Sequence, residues 1–300
     1  MVTYTYNKSI DTLKGILIIT VIIGHILRGS LDENIIRYFI YSFHMPAFFY
    51  ISGYLIRIEG LVDKTYKSIF KKYWQRMIKE WFIAFIIYTT YAVYHNFSIK
   101  NILYNCYNPY YHLWFVPALF LMILIVRIAF EDAKKRTTVS ILLTCISILL
   151  YNLSNTQYSI SGAYNCSLLF FFLLGIFTHK RLNINNIRWE YTLVYYIVIV
   201  FFINIFIDNT IAFYRMFIEL PLITFLCIFC FLPIISENKI HNEVLEYCGR
   251  HSLQIYLWHM IPVIILQKLF PNTTAYYTIS FVLLLILCLG IYLFIKKQKN

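Results

Sequence analysis

Apolar residues gather in ten runs along the chain, at about 11–28, 35–56, 78–95, 112–130, 138–154, 164–179, 190–207, 211–234, 252–270 and 275–295. Runs of this length and composition predict membrane-spanning helices, although several fall short of the ~20 residues that cross a bilayer at right angles. An even number of crossings places both termini on one side. The polar positions between the runs say which side. Of the 26 Lys and Arg, 21 fall at the termini or in even-numbered connections, and only Arg28, Arg37, Lys100, Arg215 and Lys268 fall in odd ones. Basic residues flanking spans collect in the cytoplasm, so the expected fold is all-α and polytopic, with about ten transmembrane helices and both termini cytoplasmic. One integral-membrane domain over residues 1–300 is expected, multi-pass in the plasma membrane.

Composition agrees with this pattern. The chain is 60% hydrophobic and 13% charged, against about 25% charged in soluble domains. Flanking basic residues account for the formal charge of +12, so a nucleic-acid partner is not expected; membrane lipid is. The first apolar run lacks a small-residue cleavage site and leads into a second span, which argues against a cleavable signal peptide. The seven cysteines form no metal-ligand array, and no metal is expected. Cys227 and Cys230 make a C-x-x-C inside an apolar run, where packing is the simpler role.

The stretch Asp11–His25 carries the most chemistry. Lys14 and His25 are eleven steps apart, which at ~100° per residue returns to within ~20° of one face over a rise of roughly 16 Å. Ionisable groups on such a helix face a partner or a cavity rather than lipid. Two readings are open on spacing alone: Lys14 snorkels to headgroups while His25 marks the other interface, or one face carries an anion anchor at its cytoplasmic end and an acid/base at its outer end. The segment 57–79, containing K-x-x-K-x-x-x-K-K-Y-W-Q-R, is expected to form an amphipathic helix on the inner surface, drawn to anionic lipid. Glu219 sits at membrane depth, as either a functional carboxylate or a structural partner of Arg215 one turn away. Tyr110, Tyr111 and Trp114 make either an interfacial belt or a platform for sugar rings.

Four blocks, in order, carry a resemblance. They are Lys14 to His25 with Asp11 before them; F-H-M-P-A-F-F-Y-I-S-G-Y-L at Phe43–Leu55; H-L-W-F-V-P-A-L-F at His112–Phe120; and C-G-R-H-S-L-Q-I-Y-L-W-H at Cys248–His259. F-F-L-L-G at Phe171–Gly175 adds to them. The chain resembles the membrane acyltransferase 3 family, in particular its branch related to fucose 4-O-acetylases. It departs from that family in three ways. Lys14 stands where arginine is frequent, which loses the bidentate fork for phosphate. No proline follows Arg76 in Q-R-M-I-K-E-W, and no extracellular hydrolase-like domain is evident, so transfer is expected to be completed by the membrane part or by a separate protein.

The resemblance implies an acyl-CoA-dependent O-acetyltransferase, moving acetyl or another acyl group from cytoplasmic acetyl-CoA or another acyl-CoA to a carbohydrate hydroxyl. On that basis His25 is the expected general base, with Glu219 as a second catalytic candidate. A covalent acyl-histidine relay is a second route. Lys14, Asp11 and Arg76 are the donor-site candidates, Asp11 through pairing with or tuning Lys14. His44, His112, Trp114 and Ser52 are candidates for the acceptor side; for His44, stabilising a helix-breaking turn is the competing role. Polysaccharide-biosynthesis proteins or a second copy of the chain are the expected partners. A transporter or flippase for a glycan precursor is the alternative function, since membrane histidines also serve proton relays.

Overall fold

The computed structural model describes residues 6–29, 34–94, 97–110, 112–132, 134, 136–153, 165–181, 218–238 and 240–299. Every regular element among the described residues is helical. Among the described residues, three helices are long and apolar enough to cross a membrane, Lys8–Ile26, Leu220–Glu237 and Thr273–Gln298, and shorter apolar helices occupy Phe115–Ala129, Thr138–Tyr151 and Leu169–His179. The seventh apolar run, residues 211–217 of the eighth, Tyr111 and Arg215 lie outside the described residues.

The chain divides into two compact units. The first joins Met1–Phe48 to Ile228–Asn300, and the second is Phe49–Cys227. In the first unit, α1 (Lys8–Ile26) is capped by Asn7, whose side chain accepts a hydrogen bond from the Ile10 amide, and Asp11 lies in the first turn, where a carboxylate favours the helix dipole. α2 (Ile35–Tyr54) begins in this unit and runs on into the second. It continues unbroken through Pro46, so the irregularity expected of that block does not develop.

The remainder of the first unit comes from the C-terminal third. Beyond Leu232–Glu237 lies a helix that hydropathy did not predict, Glu243–Arg250. Asn242 caps it, accepting from the Val244 and Leu245 amides. The ninth apolar run then divides into Ser252–Trp258 and Met260–Leu269, with His259 at the break. Pro262 is the cause, since it cannot donate to the carbonyl of Trp258 four residues earlier. Thr273–Lys299 closes the chain, and in its most apolar stretch only 6% of positions are buried against protein. Its bare leucines and isoleucines suit hydrocarbon rather than water.

Glycines set how closely α1 approaches the Glu243–Arg250 helix. A β-carbon on Gly15 would overlap the Leu245 carbonyl, and one on Gly249 would overlap the Asp11 carbonyl. The two helices therefore touch backbone to backbone, as small residues permit in membranes. Around this crossing Ser9 Oγ donates to the Ile240 carbonyl at 2.8 Å, and Asn7 Nδ2 to the Ile235 carbonyl at 2.6 Å. At the far end of α1, Arg28 donates to the carbonyls of Phe270 and Pro271, each at 3.0 Å, and covers the Tyr276 ring at 4.0 Å from its centroid. These contacts satisfy acceptors that a helix end leaves open.

The second unit repeats the device. β-Carbons on Gly53 and Gly175 would overlap the carbonyls of Phe172 and Tyr50, so the end of α2 and the helix Leu169–Arg181 also meet without side chains between them. Thr178 Oγ1 donates to Tyr50 Oη at 3.2 Å nearby. In the 57–79 segment, Tyr66–Tyr73 is the expected helix, capped by Thr65 and exposing Tyr66 and Phe70 beside its lysines. A π-helical turn at Trp74–Ile78 passes it into Lys79–Val93.

Candidate active site

The stripe of α1 that joins Lys14 to His25 faces protein. Ile18 and Val21 lie on it and are 0% and 2% exposed, whereas Ile16 on the other side is 38% exposed.

Near the N-terminal end of α1, Lys14 Nζ lies 3.0 Å from Asp11 Oδ1, an i, i+3 ion pair with the lysine side chain 24% exposed. The expected pairing of Asp11 with Lys14 is thus present. It belongs to a larger cluster that the sequence did not reveal. The Tyr6 hydroxyl lies 2.5 Å from Asp11 Oδ2 and 3.1 Å from Glu246 Oε1, so one proton serves two carboxylates. Burial, then the Asp11 carboxylate, push the Tyr6 phenol well above its ordinary value, and it stays a donor at any physiological pH. Glu246, 8% exposed, is also 3.0 Å from His241 Nδ1 and 3.8 Å from Arg250 Nη1.

The other end of α1 is lined by rings. His25 Nδ1 lies 3.1 Å from the Tyr41 hydroxyl, and the His25 ring is 5.1 Å from that of His259, centroid to centroid. His44 meets the Tyr41 ring edge-on at 5.2 Å. His44 Nδ1 donates to its own helix, to the Ile40 carbonyl at 2.5 Å, and His259 Nδ1 likewise donates to the Tyr256 carbonyl at 2.8 Å. Those bonds fix the Nδ1–H tautomer in both rings and turn Nε2 away from the backbone. His25, Tyr41, His44 and His259 thus form one group within the first unit. Of these, Tyr41 was not singled out from the sequence and His259 was noted only as part of a block.

The remaining candidates lie in the second unit. Arg76 is exposed in the π-helical turn, and Ser52 is half-buried beside Gly53. His112 is buried with Tyr88 edge-on at 5.3 Å, and Trp114 stacks on Phe49 at 6.2 Å. Tyr110 stacks on Tyr88 at 5.6 Å, packing that an interfacial belt would not require. Glu219 is buried at 8% exposure immediately before the helix Leu220–Phe225. Among the described residues no cluster of three His, Cys, Asp or Glu side chains could hold a metal ion.

A family model described as an acyltransferase domain matches residues 7–293. The chain belongs to this acyltransferase family. The matched span takes in both units, and with them both ends of α1. A stretch of 125 residues is also 34% identical to nodulation protein NolL of Sinorhizobium fredii, covering 37% of this acyltransferase-family chain and 34% of that protein. The match therefore spans about a third of the relative's length. No solved structure matches the chain.

Proposed function

We propose that this chain is a multi-pass plasma-membrane O-acyltransferase that moves an acetyl group from cytoplasmic acetyl-CoA to a hydroxyl of a cell-surface or lipid-linked carbohydrate. The observation that carries this reading is the single buried stripe of α1, with the Asp11–Lys14 pair at one end and the ring-lined His25 at the other. Membership of the acyltransferase family supplies the reaction class. The bias of basic residues supports a cytoplasmic Lys14 and an outward His25.

Lys14 has three N–H donors, and Asp11 takes one. The others are available to a phosphate of the donor, with Asp11 holding the ammonium in place. A pantetheine arm running beside α1 would bring the thioester roughly 16 Å towards His25. There His25 removes the proton of the acceptor hydroxyl as that oxygen attacks the thioester carbonyl. The acceptor oxygen gains the acyl group, the carbon–sulfur bond breaks, and the departing sulfur takes the proton back from the imidazolium. His112, Trp114 and Ser52 are proposed for the acceptor side, Arg76 for the donor side, and Glu219 as a second catalytic carboxylate.

Mass analysis of cell-surface glycans from cells with and without the chain tests the reading. An ester-sized mass difference that depends on His25 is expected. Unchanged ester content alongside altered amounts of exported glycan would overturn it in favour of a transport role.

A further inference from the structure

The contact between Tyr41 and His25 is built by more than proximity. Gly24 stands immediately before His25, and a β-carbon there would lie 3.0 Å from Tyr41 Cε2 and 3.0 Å from Ile40 Cγ2. The missing side chain gives the Tyr41 ring its place against α1. The two rings cross at 73° with centroids 5.8 Å apart, so Tyr41 addresses the imidazole through its hydroxyl and not by stacking. Elsewhere the Tyr41 ring is held by His44 edge-on at 5.2 Å and by the Arg37 guanidinium, 5.1 Å from its centroid. Arg37 in turn donates to the Gly29 carbonyl. A phenol fixed on three sides is a rigid reference for the imidazole that it touches.

We propose that Tyr41 is the positioning residue for His25. In this arrangement His25 Nδ1–H donates to the Tyr41 phenol oxygen, which sets one tautomer and one ring rotation and assigns the acceptor hydroxyl to Nε2. This rests on the reading of His25 as general base. During transfer the hydroxyl proton passes to Nε2, the acceptor oxygen forms the ester bond, the carbon–sulfur bond breaks, and the sulfur takes the proton from Nε2. The other proton stays on Nδ1 throughout, hydrogen-bonded to the Tyr41 oxygen. A histidine base needs such a partner, and a neutral phenol supplies it without placing a second charge in an apolar setting.

The test uses the full chain in membrane vesicles at matched abundance, measuring acetyl transfer from acetyl-CoA into the envelope fraction. Tyr41→Phe is expected to lower the maximal rate about 10- to 100-fold, the scale set by losing a partner that orients a metal-ligating histidine. The KM for acetyl-CoA and the thermal unfolding of the extracted protein are expected to stay within about twofold and a few degrees of the parent. His25→Gln is expected to abolish transfer, and adding Tyr41→Phe to it to change nothing further, because the two residues act as one unit. If Tyr41→Phe keeps the full rate, raises only KM, or loses activity in step with stability while His25→Gln is inactive, the positioning role is overturned and the general-base reading stands. If His25→Gln remains active, the general-base reading fails and takes this one with it.

Discussion

A β-carbon on Gly249 would fall on the backbone carbonyl of Asp11. The approach of two helices thus passes through the residue that holds Lys14, and Glu246, one turn before Gly249, reaches the same Tyr6 hydroxyl as Asp11. Packing and the proposed donor end are therefore not separable here.

Gly249→Ala is expected to push the helices apart or strain them, costing on the order of 1–3 kcal/mol. Gly290→Ala is the control, since a β-carbon there meets nothing within 4 Å. Thermal unfolding of the two extracted proteins checks the contrast; equal stability would show that α1 and the Glu243–Arg250 helix do not touch at this point.

His25→Ala is expected to leave the protein inserted while removing acyl transfer. His25 sits half-buried at the end of a helix held elsewhere by Gly15, Ser9 and Asn7. Ester incorporation at matched membrane abundance is the measurement, and full activity of the Ala variant would end the proposed chemistry.

Lys14→Ala is expected to weaken acetyl-CoA binding about 10- to 100-fold, the scale of one charge-assisted contact. Lys14→Arg should retain most of the affinity, because it keeps the charge beside Asp11. Equilibrium binding to purified protein decides. Normal binding by the Ala variant would move the donor anchor to Arg76 or to the lysines of Tyr66–Tyr73.

Sidedness can be read without activity. With the native cysteines replaced, a cysteine at Asn108 should react with an impermeant thiol reagent added outside, and cysteines at Asp63 or Lys135 should not. Labelling of Asn108 and Lys135 from one side would break the count of crossings between them and the outward placement of His25.

The runs of apolar residues determined by themselves where the long helices form, because hydropathy is a local property and a helix satisfies its own backbone. The eleven-residue interval fixed Lys14 and His25 on one face for the same reason. The Glu243–Arg250 helix escaped because its polar residues keep it below any hydropathy threshold; the Asn242 cap with Glu243 and Glu246 in the first turn was the signal that could have found it. What surrounds the two ends of α1 was decided only in three dimensions. Tyr41 reaches His25 from another helix, His259 comes from the far end of the chain, and Glu246 meets Tyr6 across nearly its whole length. No local period encodes such meetings, because they depend on which helices pack and how closely glycines let them approach.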